Sequence, residues 1–331
     1  MKIAFINRGQ QDTVGLIPKD VPHVLIVAPE NNTYTPEQMR QVADCDAIYV
    51  SGAYITEQVF EAGKKLRMVQ TAGAGFDKLD LAAATRHGVV CCNNGDLNSS
   101  RVADFCMTLL LTQFRRYIQT VDHMKTDNWE QARSEGVQAL EVEDKTIGII
   151  GFGSIGAKLG KRAHAFDMKV VYNDILPDVN QDVARRIGAR LVSKEELYRT
   201  ADVISINTPL NESTRGLIGA KEIAMMKDGA YLICTARGNI VDETALRKAL
   251  DEGKLAGAGI DVFSTEPIKP DNPLLGAKNI ALSPHVAGRG KEGVVRSFNA
   301  SMENIRRYVA LGQPPRNVLN AEAMSVAAAA H

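Results

Sequence analysis

The sequence predicts an α/β protein of two domains, a doubly wound parallel sheet inserted into a second parallel α/β unit. Short apolar runs alternate with helix-spaced segments twice along the chain, once before residue 98 and again from Thr146. Strands interleaved with helices, and not joined by hairpin turns, favour parallel pairing. The second series opens on Ile147-Gly148-Ile149-Ile150 and turns through Gly151-Phe152-Gly153-Ser154-Ile155-Gly156. A helical segment then leads to Val170-Val171-Tyr172 and Asp174, 18 residues beyond Gly156. Strand, G-x-G-x-x-G, helix, strand and acid make the dinucleotide-binding fingerprint of a Rossmann unit. Gly151 allows the tight turn, Gly153 lets backbone N–H groups approach a pyrophosphate, and Gly156 lets the helix pack on the strand. The helix N-terminus faces the anion with unpaired N–H groups. Because this loop begins only at residue 151, a whole α/β unit precedes it, and the last long helix is expected to return to that unit. The expected domains are therefore a split one, residues 1–98 and 288–331, around a nucleotide-binding one of residues 99–287, with the active site in the cleft between them.

In the first series the candidate strands are Lys2–Ile6, His23–Val27, Ala47–Val50, Arg67–Gln70 and Val89–Cys92. Helical spacing falls between them at Pro36–Ala43 and Thr56–Gly63, where Thr56 is placed to cap. The turn Thr71-Ala72-Gly73-Ala74-Gly75-Phe76-Asp77 has backbone N–H groups that could hold a carboxylate, but by itself it reads as an ordinary strand-to-helix turn. Asn98-Ser99-Ser100 precedes Val102–Gln113, a helix apolar on most faces and so expected to be buried. Residues 117–144 are more polar and ill-defined, and hold the single tryptophan, Trp129, which suggests cover from another surface such as a second subunit.

The second series has six candidate strands: Thr146–Ile150, Lys169–Tyr172, Val203–Asn207, Ala230–Cys234, Gly257–Ile260 and Ile280–Leu282. Glu243–Leu250 reads as a short helix ended near Gly253. After Gly288-Arg289-Gly290 a helix of about 17 residues runs to Leu311, where Gly312 stops it, and Pro314-Pro315 begins an extended tail. The alanine-rich Ala321–His331 is expected to fray.

Composition narrows the function classes. The chain has 331 residues, 45% hydrophobic and 24% charged, with Lys+Arg and Asp+Glu balanced at 39 each. Nothing in that balance points to nucleic acid or a membrane surface, and no apolar run approaches the ~20 residues that span a bilayer. Cys45, Cys91, Cys92, Cys106 and Cys234 lack C-x-x-C spacing and read as buried thiols of a cytoplasmic protein, with no metal site expected.

Ligands of open α/β sheets bind beyond the carboxyl ends of the strands. There the second series places Thr208-Pro209, Thr235-Ala236-Arg237-Gly238, Asp261 with Glu266-Pro267, and Pro284-His285. Singly, Arg237 could be a surface residue, Glu266 a loop acid and His285 a satisfied core histidine. Their joint position at the ends of different strands, on the edge that bears the glycine loop, makes them a candidate site.

The order Thr235-Ala236-Arg237-Gly238, Val241-Asp242-Glu243, Asp261-Val262-Phe263, Glu266-Pro267 and Ser283-Pro284-His285 closely resembles the NAD-dependent D-2-hydroxyacid dehydrogenases. The resemblance extends to the Gly73–Asp77 turn, to Asn98 with Val102-Ala103, and to Asn207-Thr208-Pro209-Leu210 through Thr214-Arg215-Gly216. It implies a flavodoxin-like substrate domain beside the Rossmann domain, and reversible hydride transfer between NAD(H) and a small 2-oxoacid/D-2-hydroxyacid pair. It also implies that Arg237 binds the substrate carboxylate, that His285 is the general acid/base, and that Glu266 orients His285 and favours its charged form. Backbone around Ala74 and Gly75 would help hold the carboxylate, with Tyr54 and Arg289 as further candidates on the substrate side. Gly151, Phe152, Gly153, Ser154, Ile155, Gly156, Asp174, Thr208, Pro209, Thr214, Thr235, Ala236, Asp261 and Gly288 would form the cofactor site. Asp174 can accept from both ribose hydroxyls and would repel a 2′-phosphate, which selects NAD over NADP. A homodimer is implied, with residues 117–144 and Trp129 at the contact.

Departures from the family pattern are Cys234 where Asn is frequent, Asp104 where Glu is, and Arg289 where a small residue is common. Arg289 would suit a substrate with a second anionic group, or simply face solvent. Two rivals share the architecture. Formate dehydrogenases carry glutamine in place of Glu266, and the C-terminal binding protein co-repressors keep the trio while acting as NADH-responsive platforms. Glyoxylate, hydroxypyruvate, phosphohydroxypyruvate and longer 2-oxoacids all stay open as substrates, although the length is short for phosphoglycerate dehydrogenases with regulatory extensions.

Overall fold

The structure is a computed structural model that describes residues 1–8 and 13–329. Contacts divide the chain into two compact units, Met1–Asn98 with everything from Arg289 onward, and Ser99–Gly288.

The first unit holds β1 (Ile3–Asn7), β2 (His23–Val27), β3 (Ala47–Ser51), β4 (Met68–Thr71) and β5 (Val90–Cys92). They lie in the order β2-β1-β3-β4-β5 with all neighbours parallel, the flavodoxin-like order. Alternation along the strands feeds two layers. Ala4, Ile6, Ile48 and Val50 point into one, and Ile3, Phe5, Ala47 and Tyr49 into the other. The helix Lys291–Ile305 closes the second layer, with Phe298 5.5 Å from Tyr49 and 6.2 Å from Phe5, ring centre to ring centre. Polar ties fix it there. Asn304 Nδ2 donates to Gln70 Oε1 at 2.8 Å, and Arg67 Nη1 to the Val309 carbonyl at 2.9 Å.

The second unit holds β6 (Thr146–Ile150), β7 (Lys169–Asn173), β8 (Arg190–Leu191), β9 (Val203–Ile206), β10 (Ala230–Cys234), β11 (Leu255–Ile260) and β12 (Ile280–Leu282). Their order, β12-β11-β10-β9-β6-β7-β8, reverses between β6 and β9, and every pair is parallel. This is the doubly wound arrangement. Ile147 and Ile149 face one helical layer while Ile204, Ile206 and Leu232 face the other, so helices cover both sides. The helix Ser99–Phe114 buries Cys106, Met107, Leu109, Leu110 and Phe114 on the first side.

Several expectations need correction. The sheet has seven strands where six were read, because β8 is two exposed residues at an edge and carries no apolar alternation. Residues 117–144 are not ill-defined; they contain helices Tyr117–Lys125 and Trp129–Val137. Their large apolar side chains stay outside, Tyr117 62%, Trp129 58% and Val137 80% exposed, with Ala132 as the one buried residue of the second helix, so no core-facing stripe marks them. Thr56 precedes its helix but makes no side-chain cap bond. The last long helix is α-helical to Ile305 and π-helical over Arg306–Ala310, before Gly312 at φ +63. The tail does not simply fray. Asn320 binds the Cys91 N–H, the Val89 carbonyl and Thr85 Oγ1, and Glu322–Ala329 is helical with Ala323 fully buried. Alanine costs least to hold in a helix and is small enough to dock closely. Residues 330–331 lie outside the described residues.

All five cysteines are buried, and burial pushes the Cys91, Cys92 and Cys106 thiols up to about 12. Among the described residues no helix is long and apolar enough to cross a membrane.

Candidate functional site

The glycine turn sits where the strand order reverses. β6 is followed by Gly151, whose φ of +88 suits glycine, and a Cβ there would lie 2.9 Å from the Asn207 backbone beyond β9. A Cβ on Gly156 would lie 2.1 Å from the Gly151 carbonyl oxygen, so the helix Ser154–Ala165 packs against the turn itself. A Cβ on Gly153 would meet nothing within 4 Å. The backbone there is open ahead of the helix terminus, as a cradle for phosphate requires. Ser154 is exposed and Ile155 half-buried in the first turn, while Phe152 is buried and stacks on Tyr172 at 4.1 Å. Asp174 braces the turn, accepting from Phe152 N at 2.7 Å and Leu176 N at 2.9 Å. Each carboxylate oxygen keeps capacity for a further donor. Beside the turn, the buried Thr208 Oγ1 and Asn207 Oδ1 have no hydrogen-bond partner among the described residues. These groups fit a dinucleotide.

The remaining expected cofactor residues differ in what they are committed to. Pro209 is exposed, and Thr214 Oγ1 closes its own turn by donating to the Pro209 carbonyl at 2.6 Å. Thr235 is buried with Oγ1 3.1 Å from Cys106 Sγ, the Ala236 carbonyl accepts from Arg237 Nη1 at 2.7 Å, and the Gly288 carbonyl accepts from Arg101 Nε at 2.9 Å. Asp261 is wholly buried. Its Oδ1 accepts from Ser283 Oγ at 2.6 Å and Val286 N at 2.9 Å, and its Oδ2 from Ala287 N at 2.8 Å. Its main-chain carbonyl accepts from His285 N at 2.8 Å. Asp261 thus holds the chain on both sides of His285, which adopts a left-handed φ of +55.

At the same sheet edge, His285 Nδ1 lies 2.9 Å from Glu266 Oε2, with the histidine side chain 42% and the glutamate 28% exposed. The other carboxylate oxygen, Oε1, accepts from Phe263 N at 3.2 Å, so the glutamate is gripped by its own loop. Arg237 is half-buried after β10. Sequence order alone could put these side chains at strand ends; the direct Glu266–His285 contact is structural information.

In the first unit, the turn after β4 has its carbonyls engaged. Ala72 accepts from Asn94 Nδ2 at 2.8 Å, Gly73 from Thr71 Oγ1 at 2.8 Å, and Ala74 from Asn93 Nδ2 at 2.7 Å. Asn93 and Asn94 escaped the sequence reading, although two amides directly after a strand were a usable signal. Gly75 is half-buried. Tyr54 is 37% exposed, with Lys78 Nζ 5.5 Å from its ring centre, and Arg289 is exposed ahead of the helix Lys291–Ile305. Of the two further departures, Asp104 accepts from Arg162 Nε at 2.6 Å, and Cys234 is buried with burial pushing its thiol up to about 11.

Comparison with known proteins shows the family. Residues 107–287 match the NAD-binding domain of D-isomer-specific 2-hydroxyacid dehydrogenases. The chain is 36% identical over 290 residues to the glyoxylate reductase of Korarchaeum cryptofilum, covering 87% of this chain and 86% of that protein. It is 37% identical over 286 residues to the D-3-phosphoglycerate dehydrogenase of Methanocaldococcus jannaschii, covering 86% of this chain but only 53% of that longer protein. Among solved structures, the NAD-dependent formate dehydrogenase of Staphylococcus aureus in complex with NAD superposes with a TM-score of 0.81 at 26% identity, over 97% of this chain and 99% of that one. The chain belongs to the D-isomer-specific 2-hydroxyacid dehydrogenase family, NAD-dependent oxidoreductases of small 2-hydroxyacids and 2-oxoacids.

Proposed function

We propose that this chain reduces a small 2-oxoacid to its D-2-hydroxyacid, reversibly, with His285 as general acid/base. The observation that carries the reading is the 2.9 Å Glu266–His285 contact at the carboxyl edge of the sheet that also bears the glycine turn. With Nδ1 held by the carboxylate, Nε2 is the nitrogen left to give a proton to the carbonyl oxygen and to take it back in oxidation. The Arg237 guanidinium can meet a substrate carboxylate with paired donors. In the turn after β4, where the Ala72, Gly73 and Ala74 carbonyls are engaged, the N–H groups of Ala74 and Gly75 can meet an anion. NADH, when bound, supplies the hydride. The glutamate at 266 also separates this chain from formate dehydrogenases, whose glutamine there cannot stabilise an imidazolium by charge.

Initial rates of NADH oxidation with glyoxylate, hydroxypyruvate, phosphohydroxypyruvate and longer 2-oxoacids test this. Turnover of at least one is expected, with kcat/KM for NADH above that for NADPH by tenfold or more, an order-of-magnitude figure for one misplaced anion beside Asp174. No turnover of any oxoacid sinks the enzymatic reading, and a preference for NADPH sinks the role of Asp174.

We further propose a homodimer that covers the exposed apolar side chains of Tyr117, Trp129 and Val137. Sedimentation should give twice the chain mass, and Trp129→Glu should shift the equilibrium toward the monomer. A wild-type monomer at micromolar concentration refutes it.

A further inference from the structure

We propose that Glu243 is a positioning residue for the catalytic pair, locking the loop that aims Glu266 at His285; this rests on the reading of that pair given above. Glu243 opens the helix Glu243–Asp251. An acid in that place favours a helix terminus by itself, but the helix already has its cap, because Asp242 accepts from Thr244 N and Ala245 N. The Glu243 carboxylate turns elsewhere. Its Oε1 accepts from Ser264 N at 2.6 Å, and its Oε2 accepts from Ser264 Oγ at 2.8 Å and Asn272 Nδ2 at 2.8 Å.

Those three donors lie at the two ends of the segment 264–272, which carries Glu266. One carboxylate therefore pins both ends of the loop, and hydrogen bonds to a charged acceptor are the stronger kind. Inside the pinned segment, Glu266 reaches back to Phe263 N and forward to His285 Nδ1. Glu243 also lines a small cavity together with Arg237 and Gly238, so it borders the backbone of the third catalytic candidate. The charged groups on the segments that meet here are Arg237, Asp242, Glu243, Arg247, Lys248, Asp251, Asp261, Glu266, Lys269, Asp271 and His285. Among them Glu243 alone spans from the helix to both ends of the loop. Without it the loop keeps its covalent path, the long Asn239 Nδ2–Ser264 carbonyl bond of 3.4 Å and the Arg247 Nη1–Pro273 carbonyl bond of 2.7 Å, but loses the one group that binds both of its ends, and Glu266 is held less firmly.

The test compares Glu243→Ala, Glu243→Gln, Glu266→Gln and the Glu243→Ala/Glu266→Gln double variant in oxoacid reduction. Glu243→Ala is expected to lower kcat about tenfold or more, the scale on which sub-ångström to ångström misplacement acts, with NADH affinity kept. Its pH–rate profile should move toward lower pH, in the same direction as for Glu266→Gln, since each weakens the anion's hold on a protonated His285. Glu243→Gln, which can still accept from Ser264 N, should recover part of the rate. The double variant should be little worse than Glu266→Gln alone, because both changes act through one contact. Should Glu243→Ala fail to fold, Ser264→Ala/Asn272→Ala breaks the same clamp from the other side and should show the same acid shift. A moved profile in Glu266→Gln beside a wild-type profile and kcat in the clamp variants, with only a lower Tm, overturns this inference and leaves the catalytic pair standing. An unmoved profile in Glu266→Gln overturns the pair itself, and the clamp's purpose with it.

Discussion

His285→Ala is expected to lower kcat for oxoacid reduction by about a thousandfold, within the range for removal of a positioned general acid, while the NADH dissociation constant stays within about twofold. The glycine turn, Asp174 and Thr208 are separate from the histidine, so cofactor affinity has no reason to follow turnover. One complication is conformational. His285 sits at φ +55, where a Cβ costs roughly 1–2 kcal/mol for most residues but less for histidine and asparagine. Alanine therefore loses the imidazole and also strains the bend that Asp261 holds. His285→Asn separates the two effects, because asparagine tolerates this backbone and its amide is too weak an acid to give up a proton. Both variants should be equally inactive, with the alanine variant the less stable. If His285→Asn retains near wild-type turnover, the histidine is not the acid; if NADH binding collapses with kcat, its role is in the cofactor site.

Much of this arrangement was readable from residues, and the unreadable parts share a cause. The doubly wound sheet announced itself because β6, β7, β9 and β10 are mostly apolar and mostly buried. Arg237, Glu266 and His285 could be placed at strand ends by counting from those runs. What counting could not supply was direction. That Glu266 meets Nδ1 depends on the left-handed turn at His285 and on Asp261 beneath it, and neither leaves a periodic trace. Asp261, a strand-end residue and cofactor-site candidate by sequence, is fully buried, with Ser283, Val286 and Ala287 satisfying its carboxylate. Glu243 entered the sequence reading only as the first residue of a helix and part of the Val241-Asp242-Glu243 motif, with nothing to show where its carboxylate turns. The helices Tyr117–Lys125 and Trp129–Val137 were missed for the opposite reason. A helix is recognised by the stripe it buries, and these leave Tyr117, Trp129 and Val137 outside. The terminal helix was missed because its anchor is the Asn320 amide, with Ala323 as the small residue that docks.

Gly238→Ala should be the most damaging single methyl in the site. A Cβ at this position would stand 1.8 Å from the Phe263 carbonyl oxygen, 2.1 Å from its carbon and 2.7 Å from Ser264 N. Carbon and oxygen come no closer than roughly 3.3 Å in ordinary contacts, so one strand-end loop must retreat from the other by more than about 1 Å. Neither side can yield by rotating a side chain, since the atoms met are backbone. One loop carries Arg237 next to the substitution; the other carries Glu266, tied to Phe263 N, and is clamped by Glu243 at Ser264. Moving them apart separates the guanidinium from the Glu266–His285 pair while leaving every catalytic side chain chemically intact. A loss of about a hundredfold or more in kcat/KM follows from misplacement of that size, together with about 1–3 kcal/mol of stability from overpacking. Gly136→Ala is the contrast. It lies within the helix Trp129–Val137, its Cβ would meet nothing within 4 Å, and a gain of up to about 1 kcal/mol with unchanged kcat is expected. Steady-state kinetics and thermal melts on the two variants decide the matter. Wild-type kcat/KM in Gly238→Ala would mean that the two loops are not rigidly opposed, and that catalysis does not depend on their spacing.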